Sequence, residues 1–145
     1  MNNLSVFQKA VQYAKRKHEG QKRDDGGDVF QTHLRVVVNI LRVVTNDIDI
    51  LSAAVLHDVL EDTETSYAEL ENEFGKEIAT LVLMLTKKEN NIFPFLKQSE
   101  EKNDLFQKAC LIKFADRLSN ISDMSVWEEE KQKCYLKKSM FWKTE

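Results

Sequence analysis

Proline is almost missing from this chain. Pro94 is the only one among 145 residues, and glycine occurs only at positions 20, 26, 27 and 75. Few residues are present that interrupt a helix. Cysteine is scarce as well: Cys110 and Cys134 show neither a CxxC spacing nor a zinc-ribbon pattern. They read as reduced thiols of a cytosolic protein, with a structural disulfide as the less favoured alternative. No apolar run approaches the length of a membrane span, and the N-terminus is too polar for a signal peptide. A soluble, cytoplasmic protein with no membrane partner is expected. A surplus of either charge is also lacking, since the net charge is −3. That argues against non-specific nucleic-acid binding, although Lys15-Arg16-Lys17 and Lys22-Arg23 form local basic patches.

The hydrophobic fraction of 42% is enough for a real core. The length suggests one domain over residues 1–145. No repeat, low-complexity tract or linker is visible. Apolar spacing is helical almost throughout, so the expected fold class is all-α, a compact helical bundle. Leu4, Phe7, Val11 and Ala14 predict a first helix ending near His18. Glu19 to Val29 reads as a loop, with Gly20, Gly26 and Gly27. A second helix is expected from His33 to Val44. Asp47 is a candidate N-cap for a third, Ser66 and Glu69 have capping-box spacing for a fourth, and Gly75 marks its stop. Ile78 to Leu85 resumes as a short helix, and residues 87–103 read as a loop or broken helix around Pro94. A long helix over Leu105 to Met124 follows, then a last one from near Trp127.

Polar chemistry intrudes in the third helix, in Ala53-Ala54-Val55-Leu56-His57-Asp58-Val59-Leu60-Glu61-Asp62. On one continuous helix Glu61 lies a turn beyond His57, and Asp62 a turn beyond Asp58. Three carboxylates and one imidazole on one side repel each other at neutral pH, and a divalent cation resolves that repulsion. The plainer account pairs His57 with Glu61 and leaves Asp62 to solvate the helix end. Asp116 poses a similar choice within Ile112-Lys113-Phe114-Ala115-Asp116-Arg117. It is either a buried Asp bonded to Asn120 or Arg117, or a metal ligand with Asn120 as a substrate donor. His33 either opens a helix or supplies a second imidazole. Arg23 is either a solvated loop charge or a planar guanidinium for a ligand. Lys113 is expected to snorkel to the surface rather than meet a phosphate.

Taken together, Ala14 to Arg23 (AKRKHEGQKR), the histidine after the glycine loop, AVLHDVLEDT and IKFADRLSNI resemble the HD-domain phosphohydrolases. The resemblance spans nearly the whole chain. It is strongest to the RelA/SpoT-type hydrolase domain and its small stand-alone relatives, which degrade the guanosine alarmones ppGpp and pppGpp. It implies an all-α HD-domain bundle and a metal-dependent phosphohydrolase. Residue by residue, it makes His33, His57, Asp58 and Asp116 metal ligands, with manganese the usual ion. It sets Glu61 and Asp62 beside the reacting phosphate and the attacking water. It gives Arg23 to the guanosine base and Asn120 to the sugar.

Mixed imidazole and carboxylate ligation also suits Zn or Fe. Three positions depart from the family's habit: Asp24 where Lys is common after the arginine, Phe30 for Tyr, and Leu34 for Pro. Asp24 and Phe30 motivate the rival substrates, another nucleotide or a dinucleotide phosphate. A different class is a catalytically silent nucleotide-binding module, against which the full ligand set and Glu61-Asp62 argue.

Overall fold

A computed structural model describes residues 5–86 and 104–138. Among them the chain is helical, and the only β feature is an isolated antiparallel bridge between Lys22 and Asp28. Helix α1 (Val6–Lys17) opens on a capping box, with the Ser5 hydroxyl accepting from Gln8 N and the Gln8 side chain from Ser5 N. Its C-cap is His18, as the spacing predicted.

The glycine loop is more ordered than a plain connector. Gly26 N donates to Arg23 O and Arg23 N to Gly27 O, both at 2.8 Å. Asp24 and Asp25 therefore form the tip of a tight turn, with Gly26 at φ +84°, a value that favours glycine.

The second helix does not begin at His33 as expected. Phe30–Leu34 forms a single π-helical turn, and regular helix α2 covers only Arg35–Arg42. The wider turn inserts an extra residue and re-aims side chains, a distortion that occurs often at functional sites.

Asp47 is the N-cap of α3 (Ile48–Leu56), its carboxylate accepting from Asp49 N and Ile50 N. Seven consecutive residues of α3, Ile50 to Leu56, are buried. A helix apolar on all sides belongs in the middle of a bundle, and α3 packs on α1, α2, α6 and α7. The expectation of one continuous helix through His57-Asp58 fails. The helix stops at Leu56, His57 and Asp58 form a turn, and α4 (Val59–Asp62) is a separate single turn.

Helix α5 (Tyr67–Phe74) is capped by Ser66 and stopped by Gly75 at φ +90°. Helices α6 (Lys76–Leu85) and α7 (Asp104–Asp123) follow, close to the expected bounds. Residues 87–103, where a loop or broken helix was expected, lie outside the described residues. A 3-10 turn (Met124–Val126) leads to α8 (Glu129–Lys138).

Leu34, Leu41, Leu56, Leu70, Leu81 and Ile112 are wholly enclosed, each contributing about 1.5–3 kcal/mol of burial. Cys110 and Cys134 are unpaired. No described helix is long and apolar enough to cross a membrane.

Candidate metal and nucleotide site

Four of the singled-out residues meet where the π-turn, the α3–α4 break and α7 converge. His33 Nε2 lies 3.0 Å from Asp116 Oδ1 and 3.7 Å from Asp58 Oδ2. His57 Nε2 lies 3.1 Å from Asp116 Oδ1 and 3.2 Å from Asp58 Oδ1. Both Nε2 atoms thus face the same two carboxylates, and the imidazoles stand edge to face with centroids 5.3 Å apart. Pairing His57 with Glu61, or Asp116 with Asn120, is not what the structure does. The helix break turns His57 inward, and the partners of Asp116 are two imidazoles and Lys113.

Each imidazole is held from behind. His57 Nδ1 donates to the carbonyl of Ala54 at 2.6 Å. A carbonyl only accepts, so the proton sits on Nδ1 and the Nε2 lone pair of a neutral ring points into the cluster. His33 Nδ1 lies 3.0 Å from the buried Ser119 hydroxyl. Such outer partners fix ring orientation and tautomer at metal sites. Ser119 was missed in the sequence, because serine three residues after an aspartate in a helix carries no distinctive signal.

The electrostatics call for a cation. Burial pulls the His57 imidazole down, but the Asp58 charge and the Asp116 hydrogen bond outweigh it and raise it to about 9. Burial pushes Asp116 up, yet the Lys113 charge and both imidazoles hold it well below the usual carboxylate range. Ligand atoms of His33, His57 and Asp58 lie within 4.8 Å of one another, close enough to share a metal ion, and so do those of Asp58, Glu61 and Asp62, so Asp58 belongs to both groups. The donor set of imidazole nitrogens and carboxylate oxygens fits a divalent first-row metal.

Around the cluster opens a cavity of about 430 Å³. Glu61 and Asp62 line it from α4 and are exposed. Its charged lining comprises five carboxylates, Asp24, Asp58, Glu61, Asp62 and Asp116, against Arg23, Lys113 and Arg117, with His33 and His57 between them.

Lys113 does not snorkel to the surface. It is buried with Nζ 3.3 Å from Asp116 Oδ2, and burial pulls its ammonium down. Position on the inner face of α7 overrides the surface preference of lysine.

Arg23 is likewise no solvated loop charge. Its guanidinium donates to Asn120 Oδ1 at 2.6 Å and to Asp123 Oδ2 at 3.1 Å. Asn120 Nδ2 donates in turn to the Tyr135 hydroxyl at 2.6 Å. The two candidate nucleotide contacts are therefore parts of one network.

Asp24, at the turn tip, is paired with Lys131 of α8 at 3.0 Å. Phe30 is buried with Lys15 over its ring and is not part of the cavity lining. Trp127, Tyr135 and Arg117 complete the cavity wall. The sequence carried no spacing to announce Trp127 and Tyr135, which reach the wall only after the chain turns beyond α7.

A helical bundle with this His-Asp cluster defines a class. The HD-domain model matches residues 10–141, and the chain belongs to the HD-domain family. Within that family it is of the RelA/SpoT hydrolase type. Its relatives include the MESH1 guanosine-3′,5′-bis(diphosphate) 3′-pyrophosphohydrolase of Drosophila melanogaster. The two are 33% identical over 144 residues, which cover 89% of this chain and 78% of that protein. The enzyme of the same designation from Aquifex aeolicus is 34% identical over 92% of this chain. The chain spans about 20% of that protein's length. The solved structure of a metazoan SpoT ortholog that hydrolyses ppGpp superposes with a TM-score of 0.81. It is 29% identical, and the match covers 97% of this chain and 85% of that one.

Proposed function

We propose that this chain is a metal-dependent phosphohydrolase that removes the 3′-pyrophosphate of guanosine alarmones. ppGpp yields GDP and pyrophosphate, and pppGpp yields GTP and pyrophosphate. It works as one HD-type domain over residues 1–145, in the cytoplasm. The observation that carries this reading is the convergence of His33, His57, Asp58 and Asp116, with both Nε2 atoms within 3.1 Å of Asp116 Oδ1. The Drosophila and Aquifex relatives are guanosine-3′,5′-bis(diphosphate) 3′-pyrophosphohydrolases, which supports this substrate class.

In this reading the four residues hold a divalent ion, most simply Mn²⁺. Such an ion, when bound, lowers the pKa of water and polarises a phosphoryl oxygen. The rest falls to side chains. Glu61 and Asp62 orient the attacking water and take up its proton. The water oxygen bonds to the phosphorus carried by the ribose 3′ oxygen, the bond from that phosphorus to the 3′ oxygen breaks, and the 3′ oxygen takes up the proton that Glu61 or Asp62 accepted from the water. Lys113 faces the cavity from beside Asp116 and offsets phosphate charge. Arg23 and Asn120, already joined, receive the nucleoside, with Tyr135 steadying Asn120.

Metal-stripped protein incubated with ppGpp, with and without Mn²⁺, tests the reading by product analysis. GTP and a phosphorylated dinucleotide serve as controls. Manganese-dependent GDP and pyrophosphate from ppGpp alone is the expected result. Phosphate released from a control with ppGpp untouched would reassign the substrate and keep the metal site.

A further inference from the structure

A second cleft lies between α1 and the segment running from the π-turn into α2, and it encloses about 350 Å³. Phe7, Phe30 and Val38 line it together with Lys15, Arg35 and Arg42. It shares no lining residue with the cavity around the His-Asp cluster. Among the described residues no carboxylate lines it, although the chain as a whole carries −3.

Among the described residues no carboxylate neutralises these three cations: none of them forms an ion pair, whereas Lys17, Arg23, Lys108, Lys113 and Lys131 each do. Two of them sit against the aromatic lining instead. Lys15 Nζ is 5.1 Å from the Phe30 ring centroid, and Arg42 Cζ is 5.0 Å from that of Phe7. Arg35 donates to Gln31 and is otherwise exposed.

The lining is mixed: Phe7, Phe30 and three valines offer apolar surface, and Lys15, Arg35 and Arg42 stand beside Gln31 and Asn39. The first part favours an apolar body and the cations favour an anion. The volume suits a small molecule and falls short of the row of anchor pockets that a docked helix uses. We propose that this cleft binds a small amphipathic organic anion. Its apolar body lies against Phe7 and Phe30, and its anionic head sits among Lys15, Arg35 and Arg42. The occupant would lean on the segments that carry the candidate ligands, since Phe30 shares the π-turn with His33 and the cleft-lining Val55 precedes His57 by two residues.

The probe is 8-anilino-1-naphthalenesulfonate, an aromatic body with one sulfonate, followed by fluorescence titration on the full chain. The variants are Arg35→Glu with Arg42→Glu, Lys15→Glu alone, and, away from the cleft, Lys131→Glu, whose charge change equals that of Lys15→Glu. All four positions are exposed, so the fold survives reversal, and circular dichroism checks it. Saturable binding that weakens at least about tenfold in the double variant, weakens in Lys15→Glu and holds in Lys131→Glu is the expected result. Equal affinity in wild type and the double variant would overturn the proposal. Weakening confined to Lys131→Glu would do so as well, because the dye would then occupy the other cavity.

Discussion

Asp24 accepts a hydrogen bond from Lys131 at 3.0 Å across 107 residues of sequence, tying the tip of the glycine turn to α8. Lys131 also lies over the Trp127 ring, 4.3 Å from its centroid. The acid that stands where Lys is common in the family thus comes with its own counter-charge. The hydrogen bond and charge of Lys131 hold the Asp24 carboxyl below its usual range.

Reversing that charge should help polyphosphate binding. Asp24→Lys adds a cation to the cavity lining, and KM for the nucleotide is expected to fall several-fold with kcat little changed. Exposed ion pairs contribute about 0–1 kcal/mol, so the melting temperature should barely move. An unchanged or higher KM in steady-state kinetics would show that the mouth does not sense substrate phosphates.

Asp58 borders both candidate metal-holding groups. Asp58→Ala is expected to abolish metal retention and to cut hydrolysis by more than the roughly 10–100-fold that losing a supporting hydrogen bond costs. Asp58 is only half-buried, so the helical circular dichroism signal should persist. Metal analysis of the purified variant beside its turnover rate checks both halves. Wild-type turnover would remove Asp58 from the site.

Ser119 acts on His33 from behind, at 3.0 Å from Nδ1. Ser119→Ala should weaken metal affinity by about 10–100-fold and leave kcat near wild type once metal is raised to saturation. A metal titration of activity separates this positioning role from general damage, which added metal would not repair.

Asp47 makes the fold acid-sensitive. Burial pushes its carboxyl up, but the Ile50 backbone bond and Lys108 charge prevail and lower it below 3.8. A depressed folded pKa contributes stability that is present above the unfolded value and lost as pH falls through the folded one. Denaturant unfolding should therefore show a loss below about pH 4 that is smaller in Asp47→Asn. Removing the cap itself, in Asp47→Ala, should cost about 0.5–2 kcal/mol at neutral pH. Equal acid slopes in wild type and Asp47→Asn would rule out this contribution.

Much of this protein was legible in its residues, for local reasons. Caps and stops act within one turn, so Asp47, Ser66 and Gly75 mark real helix ends. Apolar spacing locates α1, α6 and α7 because a helix in a bundle must bury one stripe. His33, His57, Asp58 and Asp116 drew notice because ionisable groups in apolar runs need partners, but only the resemblance to the HD-domain phosphohydrolases joined them into one candidate set. Helix spacing failed at His57-Asp58 and at His33, where the chain leaves the regular period and forms a turn and a π-turn. Those distortions point both Nε2 atoms at the same two carboxylates, and no local propensity encodes them.

The residues alone therefore determined an all-helical chain and the chemical types at its centre, since both depend on contacts within a few positions. Tertiary structure alone decided the rest. It joined Arg23 to Asn120 across 97 residues, set Ser119 behind His33, buried Lys113 beside Asp116 and matched Asp24 with Lys131. Each of these depends on where separate helices meet in space, which is governed by packing of the whole core rather than by any stretch of sequence.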